Sequence, residues 1–222
     1  ILWPPGYAML NARLTSPHST IEARLRDYWA TTETSLDQFA NAPISAVAFG
    51  CTGATYLAGK DEEDALVARI EDARGYPFIT SARAVCDALT CPEPSLRQVA
   101  LHSVALERDA EALTSLTSIV VSSEPPQRLK AAEALGRIGS PTAVPALLES
   151  LRQGVTDRFL EHALIFALSR IDDRSSTLAA LTDPNPNVRR AGLIALDQMP
   201  SGKLTRDLVV PLLNTDDPQL QQ

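Results

Sequence analysis

Apolar positions change their period near residue 92. Before it, short apolar runs alternate with amphipathic stretches; after it, every apolar stripe has the spacing of a helix. Ile1-Leu2-Trp3 reads as a strand ended by Pro4-Pro5-Gly6, since proline cannot donate to a ladder. Residues 7–18 carry no clear period. Apolar residues at Ile21, Leu25, Tyr28 and Trp29, behind Ser19 or Thr20 as N-cap, predict a helix. It continues with a break toward Leu36 and Phe39, and Asn41-Ala42-Pro43 stops it. Residues 44–49 predict a central buried strand. The acidic run 61–64 suits the first turn of a helix and reads as a solvated helix start. In that helix Leu66, Ile70 and Ala73 face inward, and Gly75 ends it. Residues 76–80 predict a strand and 82–89 a helix bearing Ala82, Val85, Cys86 and Leu89 on one side. The alternation implies an α/β lobe over residues 1–90 with a short three-stranded parallel sheet.

Cys91-Pro92-Glu93-Pro94 forbids helix continuation and marks a boundary. Four related segments follow, over 95–101, 127–135, 160–168 and 188–196, and Val104, Leu135, Leu168 and Leu196 align with spacings of 31, 33 and 28. Each precedes a second amphipathic stretch, at about 109–121, 141–153, 174–182 and 204–214. Prolines 94, 126, 184, 186 and 218 recur before a first helix, where a missing N–H costs least. Asp183-Pro184-Asn185-Pro186-Asn187-Val188-Arg189-Arg190-Ala191 and Ala134-Leu135-Gly136-Arg137-Ile138-Gly139 resemble HEAT repeats of the lyase-type HEAT-like family. The resemblance implies an all-α solenoid over 92–222, with about four units and a truncated fifth opening at Asp216-Asp217-Pro218. Such a solenoid builds a surface suited to a protein partner.

The net charge of −7 is divided without a basic lobe: residues 1–91 hold 7 basic and 11 acidic groups, the remainder 13 and 16. Nucleic acid is therefore a poor partner. No apolar run approaches the roughly 20 residues of a membrane span. Three cysteines make no disulfide framework, and a cytoplasmic, reducing compartment is the expectation. The start at Ile1 and the unfinished repeat at the other end read as a piece cut at both ends. Arg97, Arg128, Arg189 and Arg190 are expected to pair across repeats with acids such as Asp157 and Asp183. His18 reads as a loop residue, and His102 and His162 as packing or surface residues. No metal or cofactor is implied.

One stretch looks like chemistry. The strand over 44–49 delivers Gly50-Cys51-Thr52-Gly53, a thiol and a hydroxyl at a strand's C-terminal end. With Trp3-Pro4-Pro5, Gly75-Tyr76-Pro77 and Thr80-Ser81 in the same order, residues 1–90 resemble the first lobe of the aspartate/glutamate racemase superfamily. The nearest branch is maleate cis-trans isomerase and arylmalonate decarboxylase. That resemblance implies cofactor-independent isomerisation, racemisation or decarboxylation of a small dicarboxylate, with Cys51 as the catalytic thiol. Thr52, Gly53, Pro5 and Gly6 would then hold the substrate. Gly53 stands where the decarboxylase branch has a hydroxyl residue, and no second Gly-Cys turn follows in the chain. Such an enzyme would be inactive without a second lobe. Free cysteine is also among the most buried residue types, so Cys51 equally fits a structural role, and Cys86 reads as core. Three accounts stay open: a helical-repeat interaction scaffold fused to an incomplete lobe, a cysteine enzyme of that superfamily, or an artefactual join of unrelated segments.

Overall fold

The computed structural model describes residues 8–213. They fall into two compact units that divide between Ala84 and Val85.

In the first unit, helix α1 (Ile21–Ala30) starts at Thr20, whose hydroxyl accepts the Ala23 N–H at 3.3 Å. It breaks at Thr31 and Thr32, whose hydroxyls donate back to the carbonyls of Asp27 and Tyr28, both at 2.7 Å. Such back-bonding competes with the helical ladder. The short helix α2 (Thr32–Ser35) and a 3₁₀ turn at Leu36–Phe39 follow. Strand β1 (Val47–Phe49) pairs in parallel with β2 (Phe78–Thr80), Phe49 lying opposite Thr80. Both strands are shorter than their apolar runs. The Val47 N–H donates to Pro77 O at 2.9 Å, and Pro77 has no N–H with which to extend the ladder. The described residues hold two strands rather than three, and the strand expected at residues 1–3 lies outside them. Helix α3 (Thr52–Ala58), which the sequence did not announce, precedes α4 (Lys60–Arg74). Gly75, at φ 74°, closes α4 in the left-handed region. The core is small: Leu36, Phe49, Ala54, Leu66, Val67, Ile70 and Phe78, with Trp29 set edge-on to Phe49 at 5.6 Å.

The division falls within α5 (Ser81–Ala88), whose second half belongs with the other core: Val85, Cys86 and Ala88 pack against it. The second unit is a ladder of first helices, α6 (Pro94–Glu107), α8 (Pro125–Ile138), α10 (Arg158–Ile171) and α12 (Pro186–Gln198), each packed on the next. Their N-cap residues Glu93, Glu124, Asp157 and Asn185 reproduce the spacings 31, 33 and 28. Second helices α7 (Leu113–Ser122), α9 (Val144–Arg152) and α11 (Arg174–Ala179) lie between them, and α13 (Arg206–Leu213) follows. Short residues bring the ladder close together. A Cβ on Gly136 would stand 2.9 Å from Ala167 Cα, so at this crossing only glycine fits. Leucines at 116, 135, 147, 164 and 168 fill the space between helices, all at or below 1% exposure.

Candidate functional site

Parallel pairing places the ends of β1 and β2 at one edge of the first unit's sheet, the position where α/β folds carry ligands. Cys51 follows β1 there, half-buried and packed against the small core. Its carbonyl accepts both the N–H and the hydroxyl of Thr55, at 3.2 and 3.1 Å. Thr52 opens α3, which at seven residues is too short to present a strong dipole. Gly53 faces α1, and a Cβ there would meet Leu25 Cδ1 at 3.2 Å. Pro5 and Gly6 lie outside the described residues. Thr80 is fully buried and donates to the buried carboxylate of Glu63, while Asp64 meets Arg83 at 2.5 Å. The Arg83 hydrogen bond, ahead of Lys60's charge, holds Asp64 below the usual carboxylate range despite some desolvation. The acidic run is thus divided: Asp61 and Glu62 are exposed, whereas Glu63 turns inward to tie α4 to β2. Beside them the Ser81 hydroxyl oxygen is buried, with no hydrogen-bond partner among the described residues. A groove of about 300 Å³ in this unit is lined by Leu36, Phe39, Ile44, Arg74 and Tyr76, and Cys51 is not part of it.

The second unit offers a different kind of site. Each first helix turns one stripe to the neighbouring helices and the opposite stripe to solvent. On α10, Leu160, Leu164 and Leu168 are buried, while Phe159, His162 and Phe166 are exposed at helical spacing. The His162 and Phe166 rings stack, with centroids 6.4 Å apart and planes at 19°. On α6 the outward stripe includes Val99 and Leu106, and on α8 it runs through Lys130, Glu133 and Arg137. Sequence reasoning missed the two phenylalanines because it followed the inward leucines. Their signal was an apolar residue a half-turn off the leucine stripe. Beside α7 a groove of about 590 Å³ has a polar rim, lined by Thr114, Ser115, Ser118, Ser122, Arg97 and Gln127.

The arginines expected to pair across repeats bind mostly to the backbone. Arg97 and Arg189 stand at equivalent positions and donate to the carbonyls of Cys91 (2.6 Å) and Asp183 (2.8 Å), each two residues before the N-cap. Arg128 donates to Val120 O at 3.1 Å and to the carbonyl and hydroxyl of buried Ser150 at 2.8 and 2.7 Å. Arg190 does meet an acid, Glu161 of the preceding unit. Asp157 caps α10 through the Phe159 N–H at 2.8 Å. Asp183 does take an arginine, but it is Arg152 at the end of α9, at 2.7 Å. Burial works to raise the Asp183 pKa. Hydrogen bonds from Arg152 and the Asn185 N–H outweigh it and leave the group below its ordinary value. Burial, reinforced by the Asp109 carboxylate 3.6 Å away, pushes the Cys86 thiol up to about 12.

The first helices, their N-cap positions and their inward leucine stripes recur with the period of the repeat, and they define the second unit as a helical-repeat solenoid. The family model of HEAT repeats matches residues 82–169, from α5 to the last turn of α10. No curated protein matches the chain.

Proposed function

We propose that this chain is a protein-interaction scaffold whose binding surface is built by the HEAT-type solenoid. The observation that carries the reading is the recurrence of one helical unit, with the same cap positions and the same inward stripe. It matches HEAT repeats, a family commonly used to hold protein partners. Each unit contacts its neighbours and leaves its outer stripe free, so stacking enlarges a surface rather than enclosing a cavity. Capture of proteins on the full-length chain, followed by reciprocal capture with each candidate as bait, tests this. A partner returned in both directions is the expected result. Recovery of chaperones alone would refute it.

A second reading keeps the first unit as a thiol site for a small dicarboxylate. It is favoured by the common edge of Cys51 and Ser81 and by the unpartnered Ser81 hydroxyl. Cys51 would act as acid, base or nucleophile once a facing group is supplied. Turnover of a small dicarboxylate that disappears in Cys51→Ala is the outcome this reading requires, and full activity in that variant excludes it.

A further inference from the structure

The outer face of α8 and α10 has a composition that selects among protein partners. Phe159 is 76% exposed and Phe166 48%, and both project from a helix whose other phase is a continuous core. Beside them, Arg137 on α8 and Arg170 on α10 are exposed in the last turns of their helices, and among the described residues neither has an ion-pair partner. The backbone brings these groups together. Gly136 meets Ala167 where α8 packs on α10, and Arg137 and Phe166 are their immediate chain neighbours on the solvent side. Two ion pairs lie nearby, Lys130 with Glu133 at 2.8 Å and Arg190 with Glu161, while exposed Arg158 adds a further positive charge beside Phe159. The patch therefore has an aromatic centre, formed by Phe166 with His162 stacked on it, and unspent positive charge at its border.

From this juxtaposition we propose that the α8–α10 outer face docks an acidic amphipathic segment of a partner protein, apolar side chains on Phe159 and Phe166 and carboxylates on Arg137 and Arg170. The inference rests on the scaffold reading and names the surface and the chemistry it takes. Adjacent helix axes about 8–10 Å apart leave a shallow seam along which a third helix, about 10 Å across, can lie. Forked guanidiniums bind carboxylates in two-point fashion, and exposed aromatics are typical anchors of such contacts. A second copy of this chain is the poorer occupant, because a two-fold contact would set Arg137 and Arg170 of both copies together against acids already engaged.

The test is a selection of random displayed peptides on the full-length chain. Clones that bind are then titrated, as labelled peptides, against wild type, Phe166→Ala and Arg137→Glu/Arg170→Glu. The account expects enriched peptides to carry acidic and large apolar residues, and either variant to weaken them by roughly tenfold or more. Binding should also fall with added salt. Thermal unfolding of both variants is measured alongside, and the exposed positions predict unchanged midpoints. Peptides that enrich but bind both variants as tightly as wild type overturn this face and leave the scaffold reading standing. Failure of any peptide to enrich counts against both. Sedimentation showing a dimer of the free chain that Phe166→Ala dissociates assigns the face to self-association and overturns the proposal.

Discussion

Asp183 shows how single residues decide the stability of the second unit. Its carboxylate is buried, clamped by Arg152 at 2.7 Å and by the Asn185 N–H at 2.9 Å, and its pKa is held below the ordinary value. A depressed carboxylate stabilises the fold fully above its unfolded pKa, and that contribution is lost as pH falls through the folded value. Asp173, kept low mainly by the Ser176 hydrogen bond at the start of α11, acts in the same direction. The urea midpoint of the chain should therefore drop between about pH 5 and pH 3, and the drop should be shallower in Asp183→Asn. Arg152→Ala leaves the buried carboxylate short of a partner and should cost about 1–3 kcal/mol near neutral pH, measured by urea unfolding. Gly136→Ala poses the opposite question, since replacing a helical glycine by alanine ordinarily gains about 1 kcal/mol. Here the new methyl would stand 2.9 Å from the Ala167 backbone, and overpacking of that kind costs roughly 1–3 kcal/mol. The variant should be destabilised or at best unchanged. Cys86, whose thiol is raised to about 12, should resist alkylation at pH 8 until the fold opens, a difference readable by mass spectrometry of the modified chain.

Among the elements, what was legible depended on how far each was determined locally. The first helices of the repeats were readable because N-caps, prolines at the first position and leucine stripes all agree on one answer. The second helices were located within a few residues, though the 3₁₀ turns at Ala110–Ala112, Pro141–Ala143 and Ala180–Thr182 were not separated from them. The strands were overestimated, and the run over 44–49 is not the central buried strand it suggested: of its six residues only Phe49 is buried, and Ser45, Ala46 and Ala48 are exposed. Residues 44–46 lie outside the strand although they continue the run, and Pro77 joins the ladder only through the carbonyl that accepts the Val47 N–H. Helix α3 went unseen since its seven residues, rich in Thr, Gly and Ala, show no strong period. The candidate site was harder still. Gly53 seemed a ligand-side glycine and instead lies against Leu25, while Glu63 seemed solvated and instead holds Thr80. Neither contact has a sequence signature, because each depends on which face of α1 and of β2 the fold turns inward. At this scale Arg108→Gly should stabilise α6 by about 0.5–1 kcal/mol, since its C-cap residue sits at φ 56°, where glycine is unstrained. A rise in the thermal midpoint is the readout.

Across the whole molecule the two units differ in how much core they hold. Among the described residues the first buries seven apolar residues in its cluster, whereas the cluster of the second runs through every repeat from Leu89 to Met199. Local opening follows the number of buried apolar contacts, so amide exchange should be fastest in β1, β2 and α3 and slowest in α8 and α10. That contrast agrees with the proposed scaffold role. A surface needs a rigid support, and the rigid support here is the solenoid. The most direct measurement is hydrogen exchange of the full chain with and without a partner recovered by reciprocal capture. The account predicts new protection within α6 to α12, unchanged by Cys51→Ala. Protection confined to residues 47–58 and 78–83, with loss of binding in Cys51→Ala, would contradict it.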